Sequence, residues 1–300
     1  MTGPDRMPAE GDATRTFAHA GHRLRVAGGT RVGHRYPANF DVLHIDPVLP
    51  FVAVADGMGG GRGSSVAGST AMDTIVTAVR AAAPDVGPAQ LRAAVAEAQS
   101  RVHAAGVELG ELTGCTFTAL VTAPAAATPP APTAQVAPAG RTAPVARSAP
   151  GAKPGLDPAT AGRAEGAAWI VQIGDSRAYR LRDGLLELLT VDHTAAWLGA
   201  VYGWYPADSS AAAAARYQLT RYVGHSDAPE PDLLNVSLRP GDIYCLCTDG
   251  VAEQVDYQLL AGRLGATASP VEMVRSVLAD TLVAGGRDNA TIAVLRVEGP

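Results

Sequence analysis

FVAVADGMGGGRG, residues 51–63, is a run of five apolar residues that ends in a carboxylate and then turns to glycine. Phe51 to Ala55 reads as a short buried strand. A glycine-rich turn after a strand usually holds a phosphate on bare backbone N–H groups. Asp56 would repel a phosphate placed there, so a positive species is expected between the two. Beyond the glycines, Val66, Thr70, Ile75, Val76 and Val79 fall near helical spacing and predict a helix over 64–80.

The strand that ends in an aspartate recurs. Asp175 follows WIVQIG, Asp249 follows IYCLCT and precedes Gly250, and Asp288 stands just before TIAVLRV. If these strands pair in one sandwich, the carboxylates gather at a shared edge. Carboxylates held together raise one another's pKa, and a divalent cation relieves the conflict. Oxygen ligands without His or Cys favour Mg²⁺ or Mn²⁺ over zinc. Glycine after Asp56 and Asp249 is expected to let the backbone turn sharply. Asp-Gly is also a common turn pair, and Asp183-Gly184 reads as a plain hairpin turn.

Outward from these strands the chain reads as follows. Residues 1–20 are polar and are expected to be a loose tail. Residues 23–48 read as strands and turns. A second helix is predicted over 88–109, with Pro88 in its first turn, and a strand over 115–122. Residues 123–166 are mostly Ala, Pro, Thr and Gly, a composition that predicts disorder. Strands follow at 169–173, 178–181 and 185–189, so this insert joins two strands within a single domain over 21–298. Residues 270–282 predict a helix and ATIAVLRV a last strand.

Composition narrows the function. The chain has 300 residues, 47% hydrophobic, with a net charge of -5. That size suits one large domain. The acidic balance and the absence of a long basic run argue against nucleic acid as a partner. Cys115, Cys245 and Cys247 lack zinc spacing and an even count, so they read as core residues of a reducing compartment. Without an apolar leader or a run of about 20 apolar residues, a cytoplasmic protein with no membrane association is expected.

In chain order, ADGMGG (55–60), GCTFTAL (114–120), IGDSRAYRLRDG (173–184), LTVDHT (189–194), LCTDG (246–250) and GGRDNATIAVL (285–295) resemble the motifs of the metal-dependent protein serine/threonine phosphatases of the 2C family, in their bacterial form. The resemblance implies an α+β fold: a four-layer α-β-β-α sandwich of two central antiparallel sheets, with metals at one end. By position, Asp56, Asp249 and Asp288 resemble ligands of a first metal, and Asp56 with the Gly57 carbonyl those of a second. Asp175 resembles the aspartate that shares a third with Asp249. Two or three Mn²⁺ or Mg²⁺ ions, a metal-bridging water as nucleophile, and a phosphoprotein substrate opposed by a serine/threonine kinase are what this family implies. A monomer is expected.

The first motif departs from the family. In RYPANFDVLH, Asn39 and Asp41 fit, and Asp41 is expected to take part in the site. Phe40 stands where a metal-binding glutamate is usual, and phenylalanine cannot ligate. Arg35 is the candidate phosphate contact, displaced by one residue, with Arg31 the alternative. Met58 replaces a histidine that some relatives carry. Ser64 and Ser65 read as helix-capping residues, His193 and Arg177 as structural. The aromatics Trp197, Tyr202, Trp204 and Tyr205 read either as part of a flap or as a packed cluster. Phe40 motivates a rival reading, a pseudophosphatase that binds without cleaving. A dinucleotide enzyme is disfavoured, because the glycines do not complete G-x-G-x-x-G and Asp56 occupies the pyrophosphate position.

Overall fold

Both faces of the central strands are buried, and this explains their nearly continuous apolar runs. In the computed structural model, which describes residues 11–122, 166–206 and 208–300, one sheet has the order β1-β2-β11-β10-β7-β8 and the other β3-β4-β5-β6-β9. The first contains β1 (Gly11–His19), β2 (His22–Arg31), β7 (Arg177–Arg182), β8 (Leu185–Leu188), β10 (Ile243–Cys247) and β11 (Ala290–Glu298). The second contains β3 (Asp41–Ile45), β4 (Phe51–Asp56), β5 (Phe117–Thr122), β6 (Gly166–Ile173) and β9 (Asp232–Leu238). Every pairing within the two sheets is antiparallel.

Alternation sorts each strand between two cores. In β10, Tyr244 and Leu246 face the opposite sheet, while Ile243, Cys245 and Cys247 face helices. In β4, Val52 and Val54 face the opposite sheet, and Phe51, Ala53 and Ala55 meet α1 (Arg62–Ala82) and α2 (Pro88–Leu109). The outer face of the first sheet is covered by α5 (Asp249–Ala252), α6 (Tyr257–Gly265) and α7 (Pro270–Val283). The result is the four-layer α-β-β-α sandwich. The three cysteines are free and buried, as core residues. No described helix is long and apolar enough to cross a membrane.

The predicted helices are observed with small extensions, and Pro88–Leu109 coincides with its prediction. Asp183 and Gly184 both have positive φ, 52° and 81°, as a two-residue hairpin between β7 and β8 demands. The tail reading is corrected for residues 11–19. They form β1, paired with β2 through nine register positions from Gly11↔Thr30 to His19↔His22. Their polarity is that of an edge strand with little to bury: Phe17 is buried, and Thr14 to Thr16 are exposed. Residues 1–10 and the insert reading for 123–165 lie outside the described residues. On either side of that insert, β5 and β6 are direct partners.

Candidate metal and phosphate site

Strand direction delivers the acidic residues to one end of the sandwich. β3 begins at Asp41 and the antiparallel β4 ends at Asp56, so the two are register partners. Asp175 lies in the turn from β6 of one sheet into β7 of the other. β10 leads through Thr248 into Asp249, the first residue of α5, and Asp288 stands two residues before its neighbour β11. Asp56, Asp175, Asp249 and Asp288 line one cavity of about 480 Å³, together with Gly57 and Arg35. Asp41 lies beneath it, 9% exposed.

Burial is the main cause of the electrostatic strain. It raises the Asp41 carboxyl to about 7, against hydrogen bonds from Thr291 and Thr248 and with the help of Asp249 and Asp288. Asp249 is pushed up to about 6 by burial and then by Asp288. Asp56 and Asp175 are raised strongly by burial and by Asp249, and Asp288 is raised by burial against the pull of Arg35. Asp56 and Asp249 titrate as neighbours, the charge of Asp249 adding to burial in raising Asp56. Asp41 Oδ1 and Asp249 Oδ1 are buried without a partner. No three His, Cys, Asp or Glu side chains among the described residues form a ready-made ligand cage. The donor set, all oxygen with two orphaned carboxylate atoms, nonetheless fits hard divalent cations.

Hydroxyl and amide side chains lock these positions, and sequence reasoning assigned them no role. Thr248 Oγ1 donates to Asp41 Oδ2 at 2.8 Å and accepts from Thr291 N–H, tying the end of β10 to β3 and β11. Asp56 N–H donates to Thr116 Oγ1, which lies 2.6 Å from Ser176 Oγ beside Asp175. Asn289 accepts from Phe40 N–H and donates to the Ala38 carbonyl. All of these lie inside the motif stretches quoted above, and Thr248, Ser176 and Asn289 each stand next to an aspartate, which is the signal that was available.

The two glycines after the aspartates act by close approach and have no left-handed φ, which corrects the sharp-turn reading. A Cβ on Gly57 would stand 2.5 Å from the Ser64 carbonyl oxygen, and one on Gly250 would strike the Asn289 carbonyl. Gly250 lies in the first turn of α5, so Asp249 opens a helix. Ser64, at the third position of α1, donates to the Met58 carbonyl at 2.5 Å and accepts from Gly61 N–H; Gly61 is the cap residue itself.

Arg35 is exposed at the cavity rim beside Asp288, its guanidinium carbon 5.0 Å from the Tyr36 ring centre. Arg31, the alternative, is bound to Asp12 and to backbone carbonyls, so β1 holds it away. Phe40 is buried edge-on to Tyr36 at 6.0 Å between ring centres. His193 is structural: Nδ1 accepts from Gly174 N–H at 3.1 Å, and Nε2–H points to Asp232. Burial and Arg221 lower its pKa. Arg177 is also structural, forked onto Asp192. Of the aromatics, Tyr202 and Trp204 stack at 5.5 Å and are exposed, while Tyr205 bonds the Ala195 carbonyl. They belong to α3 (Ala195–Tyr202) and its connection to α4 (Ser210–Ala215).

No protein-family model matches the chain. The two-sheet sandwich is similar in fold to solved serine/threonine phosphatases, and phosphatase 2C-type proteins are among the chain's relatives in sequence. Its relatives in sequence include a protein named as phosphatase 2C-type from Streptococcus pyogenes, 31% identical over 134 residues, 45% of this chain and 54% of that protein. PstP of Mycobacterium tuberculosis, a serine/threonine protein phosphatase, is 33% identical over 129 residues, 43% of this chain and 24% of PstP. The matches thus span about half of one relative and a quarter of the other. Among solved structures, PppA, a regulatory component of T6SS in Pseudomonas aeruginosa, superposes with TM-score 0.69 at 25% identity, over 94% of this chain and 100% of that one. The catalytic domain of PstP with two manganese ions gives 0.67 at 26%, over 92% and 98%.

Proposed function

We propose that this chain is a metal-dependent phosphoprotein phosphatase that hydrolyses phosphoserine or phosphothreonine. The observation that carries the reading is the convergence of Asp56, Asp175, Asp249 and Asp288 in one cavity, with the buried Asp41 Oδ1 left without a partner beside it and the exposed Arg35 at its rim. Asp56, Asp249 and Asp288, with the Gly57 carbonyl and with Asp175, would hold two or three Mn²⁺ or Mg²⁺ ions. When bound, such ions supply a water acidic enough to attack phosphorus near neutral pH and neutralise charge on the phosphoryl oxygens.

The remaining roles belong to the chain's own residues. Arg35 extends its guanidinium over the cavity mouth, placed to fork onto phosphoryl oxygens and orient the monoester. Asp41 keeps one oxygen on Thr248 and leaves Oδ1 free toward the carboxylate cluster. It acts as a second acceptor that orients what the outer carboxylates hold. Thr116 and Thr248 fix the backbone of Asp56 and the side chain of Asp41, so the cluster is preorganised. Met58 supplies no proton, so the leaving serine or threonine oxygen takes its proton from water at the open mouth. This reading takes the protein as a cytoplasmic monomer that opposes a serine/threonine kinase.

Phe40 favours the second reading, a pseudophosphatase, because an aromatic ring packs where a ligand would stand. One assay separates the two: phosphate release from a phosphothreonine peptide with and without millimolar Mn²⁺, beside Asp249→Ala. Release that requires Mn²⁺ and falls by at least ~10³-fold in the variant is expected. A folded protein that binds Mn²⁺ and releases no phosphate from several peptides would establish the binding-module reading.

A further inference from the structure

The cavity mouth has a second lobe. It measures about 180 Å³ and shares Arg35, Tyr217, Asp249 and Asp288 with the catalytic lobe, but adds Arg216, Arg287 and Glu253. Its charges are unevenly spent. Asp249 and Asp288 face the proposed ions. Glu253 and Arg216 face each other at a loose 3.8 Å. Arg287 is exposed, its backbone N–H anchored at 2.7 Å on Gln254 Oε1, and among the described residues its guanidinium makes no ion pair. Arg35 is likewise without one. Met58, Leu112 and Leu219 line the catalytic lobe and not this one, and the catalytic lobe has no cationic side chain besides Arg35.

We infer that this lobe is a subsite for an anionic side chain of the phosphoprotein, lying on one side only of the residue to be cleaved. The inference rests on the phosphatase reading and names the substrate class it selects. Because the lobes adjoin, the anion belongs within about three residues of the phosphorylated one, roughly 10 Å of extended chain. A carboxylate or a second phosphate would satisfy the same guanidinium donors. The one-sidedness follows from the placement of Arg216 and Arg287 in this lobe alone, since the rest of the catalytic lobe offers a flanking anion no further cation.

The test uses the full chain with Mn²⁺ and a set of phosphothreonine peptides carrying Glu, phosphoserine or Lys at one flank or the other, with p-nitrophenyl phosphate as a substrate that has no flank. About fivefold to tenfold higher kcat/KM is expected for an anion on one flank over Lys there, with no such gain on the other, as for two partly exposed charge contacts. Glu against phosphoserine distinguishes the two sources of charge. Arg287→Glu should reverse the preference toward Lys. Should that variant fail to fold, Arg216→Glu and a rise to ~0.5 M salt should each shrink it. Equal efficiency at both flanks, with p-nitrophenyl phosphate cleaved, overturns the subsite and leaves the phosphatase reading standing. If nothing is cleaved, the phosphatase reading falls, and fluorescence anisotropy with the same peptides decides the lobe by itself: equal affinity for Glu and Lys peptides rejects it.

Discussion

Burial lifts the Asp41 carboxyl to about 7 and that of Asp249 to about 6, against 3.8 for an ordinary aspartate. A carboxyl raised on folding stabilises fully below its unfolded pKa, and that contribution is lost as pH rises through the folded value. The metal-free protein should therefore lose stability between pH ~4 and ~7 on account of these two groups. His193, whose pKa is lowered, acts in the opposite direction near pH 6.5, so the comparison that isolates the carboxyls is with Asp41→Asn. In the presence of a chelator, that variant should show a flatter pH profile and unfold at higher urea at pH 8, by on the order of 1–3 kcal/mol. A profile unchanged by the substitution would mean that Asp41 is not held protonated. The neighbouring Arg35 and Arg31 show how residues of one type part company: one stands at the cavity and the other is tied to Asp12 by a strand that reads as tail.

Among the elements, the approach of α5 to the start of β11 decides where Asp249 and Asp288 meet. Gly250 touches the Asn289 carbonyl so closely that no side chain fits between them. Gly250→Ala should therefore push α5 outward and cost about 1–3 kcal/mol, the usual range for forcing volume into a packed contact. Urea unfolding measures the loss, and Mn²⁺ binding by calorimetry should weaken in the same variant, because Asp249 moves with its helix. A stability within ~0.3 kcal/mol of the parent would show that the contact relaxes freely. Helix propensity alone predicts the opposite, since Ala outranks Gly in a helix. The sign of the measured change thus tells whether packing or propensity rules this turn.

For the molecule as a whole, β5 and β6 pair through six register positions from Phe117↔Ile173 to Thr122↔Ala168. The two strands need only a short connection, whatever lies between them in sequence. Deleting residues 125–163 should leave folding and activity nearly intact, and the shorter loop should lower closure entropy by roughly 1–2 kcal/mol. A large fall in Tm on deletion would show that the insert packs on the sandwich. Much of this architecture is legible in the chain: strand runs, two long helices, the Asp183-Gly184 hairpin, and aspartates at strand ends. Local pattern reports these because side-chain alternation and turn chemistry act within a few residues. β1 escaped because a polar edge strand carries almost no hydrophobic signal, and its evidence is the partner strand β2.

The sequence by itself determined the residue types of the site and their order at strand ends, since both follow from short-range pattern. Only the tertiary structure decided which of them share a cavity. It also decided that Thr248, Thr116 and Asn289 lock them in place, and that Gly57 and Gly250 are required by approach rather than by φ. Those are contacts between residues far apart in the chain: Thr248 and Asp41 are separated by 207 positions, and Gly250 and Asn289 meet across two elements. Their energies come from hydrogen bonds and close packing that exist only after the sheets have paired, so no local window of sequence contains them.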